Sequence, residues 1–361
     1  MTAPLDPPPG PLVRLIARLA ASALPLRGGQ PRPDEIRRLL VVRTDDRVGN
    51  ALLTLPLVRA LQKALPGAQV DLLLAARRAQ VAEGLPGLTI VRFDKRDAFA
   101  HPLRFAKFLR GLRGRYDVVV DAAHWHAFSL TSALLSRWAA SRWLAGARRG
   151  PAQIYSAAVA TDAILEDEAK LALGGGLGLA LLPQPLETAL GRGAAPVGGR
   201  FAALNPGARK ADHQWPAARF AAVARGLLPL RSVVFWGPGE EGLARAVVEG
   251  SQGAAELAPP TDLDQLAACF RAAALVVTND TGPMHLAVAC GAPVIALFLD
   301  EDGLRWAHPG PRFAAVVAAQ DEAPVLAAAA RLLDTARAAV EPAPPREAAA
   351  AEAQGNFRRR S

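Results

Sequence analysis

Short apolar runs alternate with amphipathic segments along most of the chain. Four runs in the first half, rich in Leu and β-branched residues, are typical of buried parallel strands: 36–42, 69–74, 88–93 and 116–121. Helical patterns lie at 51–65, 102–113 and 129–143. This order of strand, helix and strand predicts an α/β protein with a doubly wound parallel sheet.

A second series of the same kind follows a Pro-, Gly- and Ala-rich stretch. Its strands are predicted at 201–204, 232–236, 274–277 and 294–299, and its helices at 216–228, 240–249, 263–272 and 323–340. We therefore predict an amino-terminal segment (1–35), two Rossmann-like domains (36–182 and 201–340), a linker (183–200) and a tail (341–361). Ligands of such sheets bind beyond the carboxyl ends of the strands, in a cleft.

The amino-terminal segment contains one helical pattern, residues 12–24, with Arg14 and Arg18 four positions apart. The helix either lies on an anionic membrane surface or packs on the protein itself. Two cations are few for electrostatic anchoring, which favours packing. Residues 1–11 and 341–361 are rich in Pro or Ala and are predicted to be disordered. The segment lacks the cleavage signal of a secretory peptide.

Composition narrows the class of protein. The 361 residues are 51% hydrophobic, enough to fill two cores, and only 6% aromatic. A formal net charge of +9 suits nucleic acid, an anionic membrane or a phosphorylated substrate. No nucleic-acid-binding motif is present, so no such partner is expected. Cys269 and Cys290 lie in apolar helical patterns and are expected to be buried thiols. No run approaches the length of a membrane span.

The most informative stretch is 272–291. An apolar run is followed by the turn residues Asp280 and Thr281, then by Gly282, Pro283 and a helical pattern that ends at Gly291. The pattern predicts a strand, a tight turn and a helix, with Asp280 or Thr281 as the cap. Free N–H groups and the helix dipole would then favour a phosphate. An ordinary strand-to-helix connection is the alternative.

Residues 279–285 (Asn-Asp-Thr-Gly-Pro-Met-His) and 291–298 (Gly-Ala-Pro-Val-Ile-Ala-Leu-Phe) resemble the donor-site signature of the lipopolysaccharide heptosyltransferases, glycosyltransferase family 9. The resemblance extends over roughly residues 37–310. It implies the GT-B architecture, in which two Rossmann-like domains face each other across a cleft. The first would bind the acceptor and the second the nucleotide-sugar donor.

The resemblance also implies an activity. The expected reaction is inverting transfer of a sugar, heptose from ADP-heptose, to a glycolipid or polysaccharide acceptor at the membrane surface, as in lipopolysaccharide core synthesis. No metal or other cofactor is expected. A cytoplasmic monomer is expected, with peripheral attachment to the inner face of the membrane as a further possibility.

Four residues match the donor motif position by position: Asp280, Thr281, Gly282 and His285. Thr281 and the N–H groups of Gly282 and Met284 would hold the diphosphate. Asp280 would orient the turn or a sugar hydroxyl, because a carboxylate repels phosphate. His285 faces either the phosphate or the core.

Two further stretches of the second half match the family. Asn205 and Gly207 belong to an Asn-Pro-Gly loop, and the phosphate-binding Lys of the family is replaced by His213. Arg209 or Lys210 would supply the missing charge, or they are solvated loop charges. Trp215 and Phe220, just beyond, are expected in the core.

In the family, an acidic residue near this part of the second domain contacts the ribose of the nucleotide. Glu240 and Glu241 stand at the matching place, at the start of the helix pattern 240–249. Glu240 or Glu241 would hold the ribose hydroxyls, or the two carboxylates only complement the helix dipole.

The first turn, after strand 36–42, departs from the family. The family has Gly-Asp, with the Asp as proposed base, but here the pair is Gly49 and Asn50. An amide cannot accept the proton of a hydroxyl. Asp45 and Asp46 lie on the same turn, and Asp46 is slightly favoured as the base. Alternatively, both only pair with arginines or cap the helix. Gly49 permits close backbone approach to the donor or acceptor.

The acceptor side is expected to include Arg43, His124 and His126, because residues 121–126 follow a strand end. A metal site is not expected there, since a third ligand is missing. Asn50 and His213 also support a second hypothesis, a nucleotide-sugar binder without catalysis. A sugar-nucleotide epimerase of similar architecture is a third.

Overall fold

The computed structural model describes residues 9–125, 127–208 and 214–338. In the described chain, one sheet consists of β1 (Arg38–Arg43), β2 (Gln69–Ala75), β3 (Thr89–Phe93), β4 (Tyr116–Asp121), β5 (Ala140–Ala147) and β6 (Ala157–Val159). The other consists of β7 (Ala202–Asn205), β8 (Ser232–Val234), β9 (Ala255–Leu257), β10 (Leu275–Asn279), β11 (Val294–Phe298) and β12 (Phe313–Val317).

Both sheets are parallel and share one topology. The strand orders are β3–β2–β1–β4–β5–β6 and, read in the same direction, β9–β8–β7–β10–β11–β12. Alternate residues of β1 face opposite cores: Leu39 and Val41 join one hydrophobic cluster, and Leu40 and Val42 join another. The apolar runs of the sequence therefore form strands that are covered on both faces, as predicted.

The helices complete two lobes. The first lobe, built on β1–β6, contains α1 (Pro11–Ala23), α2 (Val48–Leu52), α3 (Leu55–Ala64), α4 (Asp97–Ala100), α5 (Pro102–Leu112), α6 (Leu130–Ala139) and α7 (Glu166–Leu171). The second lobe, built on β7–β12, contains α8 (Ala217–Gly226), α9 (Glu241–Gly250), α10 (Leu263–Ala272), α11 (Gly282–Ala289) and α12 (Ala323–Ala338).

The structure corrects several predicted elements. The helix predicted at 129–143 ends at Ala139, because Ala140 turns to extended backbone and Trp143 and Leu144 pair with β4. The helix predicted at 51–65 is two helices, α2 and α3, with Pro56 in the first turn of the second. The elements α4, β5, β6, α7, β9 and β12 were not predicted.

Other expectations are confirmed. Trp215, Phe220, Cys269 and Cys290 are buried. The amino-terminal helix forms as α1, and Ala17 on its inner face is fully buried. Of the ends predicted to be disordered, residues 1–8 and 341–361 lie outside the described part of the chain, whereas Pro11 begins α1. Within the described part of the chain, no helix is both long and apolar enough to cross a bilayer.

The shared strand order determines where a ligand fits. In each sheet the first and fourth strands are neighbours, β1 with β4 and β7 with β10. The crossovers diverge there, so a crevice opens at the carboxyl ends of these two strands. The turns after β1, β4, β7 and β10 contain most of the site residues predicted from the sequence.

Candidate active site

Arg43, the last residue of β1, organises the site in the first lobe. It is fully buried. Its Nη1 donates to Ala122 O, just beyond β4, at 2.6 Å, and its guanidinium forms a salt bridge with Asp45. Its Nη2 lies 3.0 Å from Nε2 of His124. One cation therefore holds together the turns that follow two neighbouring strands.

Asn50, buried in α2, joins the same cluster. Its Nδ2 donates to Oδ1 of Asp45 at 2.8 Å and lies 2.9 Å from Nε2 of His124. Nη2 of Arg43 also lies 3.1 Å from Nδ1 of His124, so both ring nitrogens face N–H donors. An aspartate at position 50 would face the Asp45 carboxylate and repel it. The amide at position 50 therefore fits a site whose carboxylate is supplied by Asp45.

The two carboxylates of this turn have different surroundings. Asp45 lies in the cluster, and its side chain is 30% exposed. Asp46 lies outside it, 41% exposed, with Oδ1 2.9 Å from Nε of Arg78. The structure thus brings Asp45, rather than the favoured Asp46, to Arg43 and Asn50.

A buried ion pair on α7 lies close behind this cluster. Glu166 and Lys170, 4% and 1% exposed, form a salt bridge across one helical turn. Burial opposes ionisation of Glu166, but the charge and hydrogen bond of Lys170, helped by Arg43 and His124, hold its pKa below the ordinary value. Burial also lowers the pKa of Lys170, although Glu166 opposes the shift. The pair was not predicted, because its spacing of four resembles a surface pair.

The second lobe presents the amino terminus of α11. Thr281 occupies the cap position, and Thr281 and Gly282 are both partly exposed. The Thr281 hydroxyl donates to Asn279 O at 3.3 Å, and the Met284 N–H donates to Thr281 O at 3.0 Å. The N–H of Met284 is thus engaged within the turn, which leaves Thr281 and Gly282 as the more accessible backbone donors for an anion.

The two lobes meet where Gly49 faces α11. A Cβ on Gly49 would lie 2.4 Å from Cδ2 of His285 and 3.5 Å from Cα of Gly282. Only glycine permits this approach. The helix amino terminus therefore faces the turn that contains Asn50 and Asp45.

His285 contacts protein on both sides. It is 5% exposed, and its Nδ1 lies 2.7 Å from Nε2 of His308. Burial, the neighbouring His308 and Lys170 hold the pKa of His285 well below its usual value. Burial also lowers the pKa of His308, to about 4, against the opposing charge of Asp167. Both rings are therefore neutral near pH 7, and His285 contributes no positive charge to the site.

Asn279 shapes the neighbouring loop after β7. Its Oδ1 accepts from the Trp215 N–H at 3.1 Å, and its Nδ2 donates to Pro206 O at 2.7 Å. Asn205 lies alongside, 4% exposed, and donates to Thr278 Oγ1 at 3.4 Å. The turns after β7 and β10 are therefore joined, as those after β1 and β4 are.

The two candidate ribose ligands are separated by the structure. The Glu240 carboxylate covers Gly207, within 2.5 Å of where a Cβ would lie, and accepts from the Gly237 N–H at 2.9 Å. Glu241 instead pairs with Arg245 in solvent, at 2.6 Å. Glu240 is thus at the cleft edge of the second lobe, and Glu241 is on the outside of α9.

Four predicted site residues lie outside the described part of the chain: Arg209, Lys210, His213 and His126. Residues that the sequence did not indicate also border the cluster. Trp306, in the short helix Glu301–Trp306 of the second lobe, packs edge-on against His124 with ring centroids 6.1 Å apart. The contact of Trp306 with His124 depends on how the two lobes pack together, and no local sequence pattern predicts that packing.

A cavity of about 890 Å³ lies between the lobes, at the far end of α11 from Thr281. Its lining includes Arg59, Asp167, Arg271 and His308. The cavity is remote from the free amino terminus of α11. Among the described residues, no group of three or more His, Cys, Asp or Glu side chains is placed to hold a metal ion.

The buried carboxyl of Asp280 should make the stability of the fold depend on pH. Burial, reinforced by Asp300 and opposed by Arg305, raises its pKa to about 7, against about 3.9 in an unfolded chain. Stabilisation by the protonated carboxyl is complete below about pH 3.9 and is lost as the pH rises through about 7. Over that window the melting temperature of the wild type should fall more steeply than that of Asp280→Asn, measured by calorimetry. Parallel curves would contradict the shift.

Known proteins with this architecture have the GT-B fold. The structure of the Escherichia coli heptosyltransferase WaaC with ADP matches with a TM-score of 0.65 and 23% identity, over 78% of this chain and 93% of that one. That of E. coli ADP-heptose LPS heptosyltransferase II matches with a TM-score of 0.61 and 21% identity, over 83% and 99%. A family 9 glycosyltransferase from Veillonella parvula gives 0.61 and 21%, over 78% and 85%. No curated protein sequence matches the chain.

These likenesses define a protein of two Rossmann-like domains arranged as in GT-B heptosyltransferases. The family model of glycosyltransferase family 9 (heptosyltransferase) matches residues 105–334, more than half of the chain. The chain therefore belongs to glycosyltransferase family 9, as its motifs predicted, and is a glycosyltransferase.

Proposed function

We propose that the chain transfers heptose from ADP-heptose to a hydroxyl of a glycolipid or polysaccharide acceptor, with inversion at the anomeric carbon. The observation that carries this proposal is the position of α11: its amino terminus faces Gly49, on the turn that contains Asp45 and Asn50. The proposed anion site and the proposed base would thus lie at the same junction of the two lobes. Two solved structures of WaaC support the choice of donor, since one contains ADP and the other ADP-2-deoxy-2-fluoro heptose.

Asp45 is the proposed base. It would take the proton of the acceptor hydroxyl while that oxygen attacks the anomeric carbon. Arg43 and Asn50 orient the carboxylate from two sides, and His124 lies beside them. His124 would also contact the acceptor, whereas Arg43, predicted from the sequence as an acceptor ligand, is fully buried and would act only by holding Asp45 and His124 in place.

The second lobe would stabilise the leaving nucleotide diphosphate. The N–H groups of Thr281 and Gly282 and the α11 dipole favour the charge that develops on it. Glu240 would accept hydrogen bonds from the ribose hydroxyls, as carboxylates do at other Rossmann sites. In this scheme a base, an anion site and a ribose ligand come from three turns of the two lobes.

The acceptor would be a phosphorylated glycolipid at the cytoplasmic face of the membrane. The net charge of +9 supports an anionic partner.

A donor screen by thermal shift tests the second lobe. ADP-heptose at a hundredfold excess over its Kd should stabilise the fold by about 2.7 kcal/mol and raise the melting temperature by a few degrees, whereas UDP- and GDP-sugars should not. Glu240→Gln should shrink this shift. The matched control Glu241→Gln should leave it intact, because that carboxylate pairs with Arg245 in solvent. An equal loss in both variants, or no shift with any nucleotide sugar, would argue against the proposed site.

A second candidate is a nucleotide-sugar binder without transfer activity. The salt bridge between Arg43 and Asp45 favours it, because the carboxylate proposed as the base is already engaged by a buried cation. A binder would give the same thermal shift but no release of ADP with any acceptor extract. Transfer by the wild type would exclude it.

A further inference from the structure

The first lobe exposes an apolar and basic face that packing of the lobe does not explain. We propose that this face docks on an anionic lipid bilayer. We call it the docking surface and define it by Leu12, Leu15 and Leu19 of α1, Phe99 of α4, and Leu103, Lys107 and Arg110 of α5. The proposal rests on the proposed function in one respect, the membrane-embedded acceptor, and it assigns the attachment to particular residues.

Helix α1 exposes its large apolar side chains and buries a small one, which is the reverse of an ordinary surface helix. Ala17 is fully buried, whereas Leu12, Leu15 and Leu19 are 67%, 52% and 61% exposed. At 3.6 residues per turn, the three leucines lie on the side of the helix opposite Ala17. A helix that served only to cover the lobe would bury its leucines and expose its alanines. The leucine stripe is thus available to a partner.

Helices α1 and α5 flank α6 and lie in one layer. Arg137 of α6 donates to Ala21 O and Leu24 O, both at 3.0 Å, which fixes the end of α1. The adjacent Trp138 donates from Nε1 to Leu109 O of α5 at 2.7 Å. Both outer helices are therefore held to the same helix, so their exposed sides belong to one face of the lobe.

The outer side of α4 and α5 continues the apolar surface. Phe99 is 92% exposed and Leu103 is 86% exposed. Leu103 lies nine residues from the buried Leu112, which places the two on opposite sides of α5. Lys107 and Arg110, four and seven residues after Leu103, are exposed and share its side. Apolar side chains here are therefore flanked by cations.

The positive charge of the docking surface indicates an anionic lipid bilayer as its partner. Between residues 95 and 115 there are seven Lys and Arg residues against a single acid, Asp97. Between residues 10 and 24 the only charged residues are Arg14 and Arg18. Leucine and phenylalanine would enter the boundary between headgroups and acyl chains while the cations contact anionic headgroups. The membrane affinity of each helix alone can be low, because α1 and α5 would bind the same bilayer together.

Flotation with lipid vesicles tests the proposal with the full chain. The wild type should float with phosphatidylglycerol vesicles and not with phosphatidylcholine vesicles. The triple variant Leu12→Gln, Leu15→Gln, Leu19→Gln should lower the bound fraction at least about tenfold, because Gln keeps the helix propensity but removes the apolar stripe. Lys107→Glu with Arg110→Glu should do the same through charge.

Matched controls are exposed residues elsewhere. Leu182→Gln, in the stretch between the lobes and 74% exposed, and Arg331→Glu, on α12, should bind like the wild type. Equal binding by the triple variant and the wild type would overturn the proposal. So would a wild-type dimer that the triple variant abolishes, seen by light scattering, because the leucines would then cover a second copy.

The outcome is separable from that of the proposed function. If docking holds, the triple variant keeps the wild-type rate on a deacylated, water-soluble acceptor and loses rate on the same acceptor embedded in vesicles. Vesicle binding without transfer to any acceptor would refute the proposed function and leave docking intact. Transfer to the soluble acceptor without vesicle binding by the wild type would refute docking alone.

Discussion

Asp45→Asn should lower kcat by about 10²–10⁴-fold and leave donor binding nearly unchanged. The reason is that a general base of this kind typically contributes that factor, whereas the donor is held by the other lobe. The asparagine retains the size of the side chain and an acceptor oxygen for Asn50, so the turn should persist. The measurement is ADP release under saturating donor and acceptor, with the donor-induced thermal shift recorded on the same protein.

Asp46→Asn is the matched control for this loss. The two carboxylates are adjacent in sequence, but Asp46 pairs with Arg78 away from the cluster. Its variant should retain the wild-type kcat within about twofold, since exposed ion pairs contribute little. A loss confined to Asp46→Asn would identify Asp46 as the base and refute the role of Asp45. Equal, full activity of both variants would remove the carboxylate from the mechanism.

Lys170→Met should destabilise the fold by about 3–5 kcal/mol. Without the ammonium group, the buried Glu166 carboxylate loses its salt bridge, which is the costly way to break an ion pair. The free energy of unfolding, from urea titration, measures the effect. Lys63→Met, an exposed lysine on α3, is the matched control and should change stability by no more than about 0.5 kcal/mol.

A double variant separates pairing from mere packing. Glu166→Leu combined with Lys170→Met removes both charges and keeps apolar volume, so most of the lost stability should return. If the double variant is as unstable as the sum of the two single variants, the two groups do not interact and the assignment of a buried pair is wrong.

Much of the fold was accessible from local patterns. The β-branched runs predicted the central strands of both sheets, because a strand covered on both faces must be apolar throughout. The edge strands β6 and β9 escaped prediction because three residues each are too few for a recognisable run. The apolar run of β12, Phe313–Val317, was missed although its pattern is that of a strand. At Ala140, α6 passes directly into β5. No Gly or Pro stands there to indicate the boundary, so the sequence predicted one longer helix.

By itself the sequence determined the repeated strand and helix series, the strand, turn and helix around residues 279–285, and the amide of Asn50 in the first turn. These features follow from residue types and their spacing along the chain, because both determine the local structure of the backbone. Only the tertiary structure decided that Asp45 rather than Asp46 joins Arg43, that Glu166 and Lys170 are buried, and that the leucines of α1 face outward. Each of these depends on which distant turns the strand order brings together, and no local pattern specifies that.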